Sequence, residues 1–240
     1  MLFDYHVALV TGAYGGIGKA IALGLNARGC EIHMVGRDAE ALHSLAASMP
    51  GASERVFCEV ADLAEDRSLR DLAARIKTQR DRLDILVHCA GGISLGTIET
   101  AAVEEFDAQY RINLRAPYLL TQALLPLLRR SRGQIVFLNS SAGVRARSNV
   151  SQYAATKHGL KAFADSLRDE VNADGVRVLS IFLGRTASPM QRAVCEQEGK
   201  TYSPENLIQP EDVAAMTMAA LALPRTAEVT DIHIRPLRKP

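Results

Sequence analysis

The sequence predicts an α/β fold in which a mainly parallel, seven-stranded sheet is doubly wound, with helices on both faces. Seven short apolar stretches alternate with helical patterns along the 240 residues. Short apolar strands between helices are typical of a parallel sheet that is covered on both faces. No internal repeat, low-complexity segment or linker interrupts this pattern, so we expect a single domain over residues 1–240.

Each element has its own signal in the sequence. The predicted strands cover residues 6–10, 31–35, 54–60, 83–89, 133–140, 175–183 and 228–236. The clearest predicted helices cover residues 16–29, 38–49, 65–80, 151–171 and 210–223. Residues 103–130 are expected to form one long helix or two, bent at Pro117 and Pro126, because proline interrupts helical hydrogen bonding. Residues 189–209 are polar and proline-containing, and we expect them to form an irregular segment that helps to define the substrate.

Composition and charge exclude several classes of function. A net charge of +1 argues against nucleic-acid binding. The chain start has no positively charged leader pattern, and no stretch reaches eighteen apolar residues, so we expect no membrane partner and a cytoplasmic location. The cysteines show no CxxC spacing, which indicates free thiols and no metal site. They are Cys30, Cys58, Cys89 and Cys195.

A glycine-rich turn, TGAYGGIG, joins the first strand to the first helix at residues 11–18. Glycines in this context allow a tight turn and the close approach of a pyrophosphate, which then lies at the helix N-terminus. The position of this turn between a strand and a helix favours a Rossmann-type, dinucleotide-binding sheet, although its GxxxGxG spacing is not the common GxGxxG. A tight turn without a ligand would carry the same glycines. The predicted cofactor contacts in this turn are Gly12, Tyr14, Gly15, Gly16, Ile17 and Gly18.

The end of the second strand favours NADP(H) as the cofactor, with NAD(H) as the alternative. An acidic residue at position 36 would bind the ribose 2′-hydroxyl, but Gly36 stands there and Arg37 follows. A guanidinium can pair with a 2′-phosphate. Asp38 is a weaker candidate ligand that fits a helix N-cap better. Asp62, after the third strand, is placed either to reach the adenine or to cap the next helix.

A serine, a tyrosine and a lysine form the candidate catalytic group. Tyr153 and Lys157 are four residues apart in a predicted helix and therefore lie on one face. A nearby ammonium favours the phenolate and is expected to lower the tyrosine pKa. Ser140, at the end of the fifth strand, could hold a substrate oxygen beside the phenol. Alone, such a tyrosine and lysine are usually surface residues.

Together these motifs resemble the short-chain dehydrogenase/reductase family over essentially the whole chain. The matching motifs follow the order that the family shows along the chain. They are the glycine turn, Asp62 with Leu63, the HCAG stretch at residues 88–91 with its Ala90 and Gly91, Asn113, Ser140, Tyr153, Lys157, and Gly184 with Thr186 and Ser188. The resemblance implies hydride transfer between NADP(H) and an alcohol or carbonyl substrate. It also implies a homo-tetramer or homo-dimer.

The same resemblance implies a role for each catalytic residue. Tyr153 would be the general acid/base and Ser140 would orient the substrate. Lys157 would lower the tyrosine pKa and bind the nicotinamide ribose, and Asn113 would hold a water that links Lys157 to solvent. A catalytically silent NADP(H)-binding sensor or scaffold is the alternative function.

Three departures from the family pattern lie near the predicted site. Cys89 replaces an asparagine that ties strands together, so local hydrogen bonding is expected to suffer. His88 is expected to be a core histidine. Leu183 replaces a proline and is expected to loosen the wall beside the nicotinamide. In the loop after Ser140, Arg145 and Arg147 either favour an anionic substrate or are solubilising surface residues.

Overall fold

Seven parallel strands form the central sheet of the computed structural model, which describes residues 3–238 without the side chain of Ser53. The strands are β1 (Val7–Thr11), β2 (Glu31–Gly36), β3 (Val56–Val60), β4 (Ile85–His88), β5 (Gln134–Ser140), β6 (Arg177–Leu183) and β7 (Asp231–Ile234). Their order is β3-β2-β1-β4-β5-β6-β7, and every neighbouring pair is parallel. The predicted doubly wound fold is confirmed.

Helices cover both faces of this sheet. They are α1 (Gly16–Asn26), α2 (Ala39–Ala47), α3 (Ala52–Arg55), α4 (Asp66–Gln79), α5 (Val103–Tyr110), α6 (Ala116–Ser131), α7 (Ser151–Val171), α8 (Pro189–Gln197) and α9 (Pro210–Leu221). One core cluster joins the sheet to α1, α2 and α9, and a second joins it to α4, α6 and α7. Within the described residues, no helix is long and apolar enough to cross a membrane. The cytoplasmic location stays a prediction.

The region of residues 103–130 is divided by a π-helical turn over Arg111–Arg115. The division precedes Pro117, which lies in the first turn of α6, where a missing N–H costs little. Pro126 lies inside α6. A π-turn inserts one residue into the helical register, which is common at functional sites. Here it contains the buried Asn113.

Residues 189–209 are not wholly irregular, because α8 occupies their first part. The Ser188 hydroxyl accepts a hydrogen bond from the Gln191 N–H at 3.1 Å, and Pro189 begins the helix. Serine at the N-cap and proline at the first helical position are a standard helix start. The expectation of an irregular segment was therefore wrong here. Residues 54 and 55, which were predicted to begin the third strand, belong instead to the short helix α3.

A partly buried network of hydrogen bonds and ion pairs ties β2 to β3 at the edge of the sheet. His33 is fully buried, with Nδ1 3.1 Å from Glu59 Oε1 and Nε2 3.0 Å from Glu31 Oε1. Arg75 Nε donates to the other Glu59 oxygen at 3.3 Å. Burial alone would raise the pKa of Glu59, but the hydrogen bonds and charges of His33 and Arg75 lower it overall. The carboxylate is therefore stabilised in the folded state.

We predict that Glu59→Gln lowers the free energy of unfolding at pH 7 by about 2 kcal/mol, because a hydrogen bond to a charged group is lost. A carboxyl whose pKa is lowered on folding contributes stability above its unfolded value of about 4.3, and this contribution is lost as the pH falls through the folded value. Denaturant unfolding at pH 7 and pH 3.5 should show a smaller loss at the lower pH. The exposed Glu99→Gln is the control, and equal effects of both substitutions would contradict the prediction.

Candidate active site

The strand order reverses between β1 and β4, which places a crevice at the carboxyl ends of these strands. Gly12 lies there with a φ of +65°, and a Cβ on it would be 3.0 Å from the backbone of Ala90. A Cβ on Gly18 would be 2.2 Å from the Gly12 carbonyl oxygen. Only glycine fits at these two positions. Gly15 is the N-cap of α1 and makes no side-chain capping bond, which leaves backbone N–H groups of Gly16 and its neighbours for an anion.

Thr11 holds this crevice together and was absent from the predicted site residues. Its Oγ1 accepts hydrogen bonds from the N–H groups of Cys89 at 3.0 Å and Ala90 at 3.1 Å, and donates to the Val87 carbonyl at 3.3 Å. The expected weakening of local hydrogen bonding at Cys89 is therefore not found, because a threonine on β1 binds the loop after β4. A hydroxyl residue directly before Gly12 is the signal that could have identified it.

The other predicted cofactor contacts lie around the same edge of the sheet. Arg37 is exposed beyond the end of β2. Asp38 is the N-cap of α2 and accepts from the Ala41 N–H at 2.9 Å, so its carboxylate is engaged. Asp62 accepts from the Ala64 N–H at 2.9 Å in a local turn, and it does not cap α4, whose N-cap is Glu65, so the capping alternative was wrong. Ile17 packs against the core, and Leu63 and Ala90 line a small cavity with Ile112.

The structure brings Ser140, Tyr153 and Lys157 together where β5 meets α7. Lys157 Nζ lies 5.8 Å from the centre of the Tyr153 ring and donates to the Leu138 carbonyl at 3.0 Å. The Ser140 side chain lies close enough to the Tyr153 phenol to favour its charged form and so to lower its pKa, against the effect of burial. Ser140 Oγ accepts from the Ala142 N–H at 3.1 Å. A hydroxyl, a phenol and an ammonium thus converge at one strand end.

The pKa of Tyr153 is raised, which contradicts the expected lowering. Tyr153 is half-buried, and the desolvation of its phenol raises the pKa by more than the neighbouring Ser140 lowers it. Lys157 is also buried, and desolvation lowers its pKa to about 8. Residue spacing could not show these effects, because they depend on how completely water is excluded.

Asn113 links the loop after β4 to helix α7. Its Oδ1 accepts from the Gly92 N–H at 2.9 Å, and its Nδ2 donates to the Gly92 carbonyl at 2.8 Å and to Thr156 Oγ1 at 3.1 Å. A Cβ on Gly91 would lie 3.0 Å from Asn113 Oδ1 and 3.9 Å from Lys157 Nζ. Asn113 and Gly91 therefore lie next to the lysine.

Asn139 and Gly143 position the same lysine and were not predicted. Asn139 Nδ2 donates to the Lys157 carbonyl at 3.1 Å, and its Oδ1 accepts from the Ser140 N–H at 2.7 Å. A Cβ on Gly143 would be 2.5 Å from Asn139 Oδ1 and 2.8 Å from the Lys157 carbonyl oxygen. The turn after Ser140 can lie this close to α7 only because residue 143 has no side chain.

The histidine and cysteine of the HCAG stretch are unsuited to acid-base chemistry. His88 is buried, stacks on Phe137 at 4.9 Å between ring centres, and lies 2.8 Å from Thr121 Oγ1. Burial lowers its pKa to about 3, so it stays neutral, as expected of a core histidine. Burial also raises the pKa of the Cys89 thiol to about 12, in spite of the opposing charge of Lys157.

The last predicted contacts follow β6. Leu183 is buried and paired with Ser140 on one side and Ile234 on the other, so the expected loosening of this wall is not found. The Gly184 N–H donates to the Ile234 carbonyl at 2.8 Å, and Thr186 Oγ1 donates to the Gly184 carbonyl at 3.2 Å. A Cβ on Gly16 would lie 3.4 Å from Ser188 Cβ, which brings this segment to the glycine turn.

Arg145 and Arg147 lie exposed in the loop after Ser140. Exposure is compatible with both hypotheses for these residues, recognition of an anionic substrate and solubility. Their role stays a prediction.

We predict that Gly143→Ala destabilises the fold by about 1–3 kcal/mol, because the added methyl group must displace the Lys157 carbonyl and Asn139. Gly24→Ala is the matched control, since its Cβ would meet Met218 at an ordinary 3.5 Å. Unfolding midpoints of both variants and the wild type measure the effect. A Gly143→Ala protein as stable as Gly24→Ala would show that the turn is not tightly packed.

Comparisons with known proteins agree with this geometry. The family description "short chain dehydrogenase" matches residues 6–199. A short-chain type dehydrogenase/reductase of Sinorhizobium fredii is 35% identical, over 97% of this chain and 92% of its own.

Solved structures agree as well. A short chain dehydrogenase from Shigella flexneri superposes with a TM-score of 0.90 at 30% identity, over 100% of this chain and 94% of its own. A metagenomic short-chain oxidoreductase in complex with NADP superposes with a TM-score of 0.85 at 28% identity, over the whole of both chains. This chain therefore belongs to the short-chain dehydrogenase/reductase family.

Proposed function

We propose that this chain is an oxidoreductase that transfers a hydride between NADP(H) and an alcohol or carbonyl substrate. The observation that carries the proposal is the convergence of Ser140, Tyr153 and Lys157 at the end of β5, one strand away from the glycine-lined crevice. The metagenomic relative that is solved with NADP supports the choice of cofactor.

The residues around the crevice fit a dinucleotide phosphate. Gly12 and Gly18 keep the turn free of side chains, and the uncapped start of α1 at Gly15 and Gly16 offers N–H groups to the pyrophosphate. NADP(H), when bound, supplies or accepts the hydride. We assign the 2′-phosphate to Arg37. The adenine side is assigned to Tyr14, Ile17, Asp62, Leu63 and Ala90, and the nicotinamide side to Gly91, Tyr153, Lys157, Gly184, Thr186 and Ser188.

The protein's own groups move the proton. Because the pKa of Tyr153 is raised, its phenol is protonated at neutral pH and can donate to the oxygen of a carbonyl substrate that Ser140 holds. Lys157 is charged below a pH of about 8 and stabilises the phenolate that remains. Asn113, bonded to Gly92 and Thr156, keeps the neighbouring loop fixed beside the ammonium. In the oxidative direction the phenolate accepts the proton instead.

We predict that Tyr153→Phe lowers kcat by about 10²–10⁴, since a positioned general acid/base is removed. Cofactor affinity should change little, and Tyr5→Phe, which changes a 93% exposed tyrosine, should behave as the wild type. Turnover with a panel of carbonyl compounds, together with the Kd for NADP(H), measures both effects. Turnover of Tyr153→Phe within a factor of two of the wild type would contradict the assignment of Tyr153 as the general acid/base. A wild type that binds NADP(H) but reduces nothing in the panel would favour the sensor alternative.

We predict a preference for NADP(H) that Arg37→Ala weakens by about tenfold to a hundredfold. A charge-assisted contact with the 2′-phosphate contributes roughly 1.5–3 kcal/mol. The ratio of kcat/KM for the two cofactors measures the preference. Arg67→Ala, which removes a 95% exposed arginine side chain on α4, is the control. Equal or better efficiency of the wild type with NAD(H) would contradict the prediction.

We also propose a homo-dimer or homo-tetramer. Large aromatic side chains are exposed on two neighbouring helices. They belong to Phe106 on α5, Tyr110 at the end of α5, and Tyr118 on α6. Closed symmetric assemblies commonly cover such faces. Light scattering at micromolar concentration should give the mass of two or four chains, and the mass of one chain would count against the proposal.

A further inference from the structure

The ring of Tyr14 lies on Gly36 at the end of β2. A Cβ on Gly36 would be 2.3 Å from Tyr14 Cε1 and 2.6 Å from Cδ1, far inside contact distance. Gly36 is buried, whereas Tyr14 is 36% exposed. The aromatic ring therefore occupies the space that any side chain at position 36 would need, and it covers this strand end from the solvent side.

The backbones on both sides of this contact are fixed. The Ala13 N–H donates to the Val35 carbonyl at 3.2 Å, which ties the glycine turn to β2. The Gly36 carbonyl accepts from the Ala61 N–H at 2.9 Å, which ties the strand end to the chain after β3. A side chain at position 36 could thus be accommodated only if the Tyr14 ring moved outward, into the space above the strand end.

That space is where a dinucleotide places its adenosine ribose. In such sheets an acidic side chain at the end of the second strand binds the ribose 2′-hydroxyl. Here position 36 has no side chain, Arg37 follows it, and the Asp38 carboxylate is engaged as the N-cap of α2. The groups beside the ribose 2′ position are therefore an aromatic ring and a guanidinium.

We propose that Tyr14 and Gly36 act as a coupled pair that determines how the adenosine 2′ position is recognised. The ring of Tyr14 keeps a carboxylate from occupying position 36, and Gly36 keeps the ring against the strand and out of the ribose site. The inference rests on the proposed function in taking NADP(H) as the ligand. It follows that a carboxylate introduced at position 36 cannot serve NAD(H) while Tyr14 is present.

Equilibrium binding in a double-mutant cycle tests the coupling without requiring catalysis. The probes are adenosine 2′,5′-bisphosphate and adenosine 5′-monophosphate, measured by titration calorimetry. Gly36→Ala should weaken bisphosphate binding at least tenfold in the wild-type background, because the methyl group displaces the ring into the ribose site. In the Tyr14→Ala background the same substitution should change binding less than threefold.

A second arm introduces the carboxylate. Gly36→Asp should not raise the affinity for the monophosphate or for NAD⁺ with Tyr14 present, because the displaced ring enters the ribose site, and it should raise both about tenfold in the Tyr14→Ala background. Tyr14→Phe retains the ring and should therefore retain the coupling, so that each Gly36 substitution has a different effect in the Tyr14→Phe background than in the Tyr14→Ala background. Equal effects of each Gly36 substitution in the Tyr14 and Tyr14→Ala backgrounds would overturn the inference.

Failure of this inference and failure of the proposed cofactor preference give different results. A wild type that binds NAD⁺ as well as NADP⁺ counts against the preference, yet the coupling of positions 14 and 36 would still appear in the monophosphate titrations. A retained preference with additive substitutions overturns only the coupling. Unfolding midpoints of every variant, with Gly24→Ala as the reference for a tolerated methyl group, show that each protein tested is folded.

Discussion

The buried ammonium of Lys157 holds the end of β5 against helix α7, and the arrangement of the site depends on this contact. Lys157 Nζ donates to the Leu138 carbonyl, while its own carbonyl accepts from Asn139. Taking the ammonium out of water disfavours its charged form, and this desolvation lowers the pKa of the lysine. Because these two bonds join the strand to the helix, they also fix Ser140 relative to Tyr153.

The loop after β4 connects this junction to the glycine turn. From β1, Thr11 binds Cys89 at the start of the loop, and Asn113 binds Gly92 three residues further along and reaches Thr156 on α7. The close approach of Gly12 to Ala90 leaves no room for a side chain between the two strands. The proposed cofactor crevice and the proposed proton donor therefore belong to one hydrogen-bonded frame.

Local sequence patterns predicted the elements that build this frame. Apolar stretches located all seven strands, and glycine spacing located the turn, because both patterns follow from backbone geometry. α8 was missed because Pro189 signals either a break or a helix start, and only the cap made by Ser188 distinguishes the two. The π-turn around Asn113 was missed because an inserted residue leaves little trace in the apolar pattern.

The electrostatics of the site depend on long-range packing and were predicted less well. Spacing placed Lys157 beside Tyr153, but the direction of the tyrosine pKa is decided by burial, which a four-residue spacing does not encode. The Tyr14 ring was likewise unforeseeable, since residues 14 and 36 meet only when β1 and β2 pair. Charge, burial and contact at these positions are properties of the assembled fold.

Direct hydride transfer from the nicotinamide to the substrate carbon is the central claim of this account. It is tested most directly with NADPH that carries deuterium at the reactive carbon of its nicotinamide, in ordinary water, with a carbonyl compound that the protein reduces. The account predicts that each alcohol molecule carries one deuterium on its carbinol carbon, and that this deuterium comes from the nicotinamide position whose hydrogen is transferred. An alcohol without deuterium at that carbon, formed while the label is lost to solvent, would contradict it.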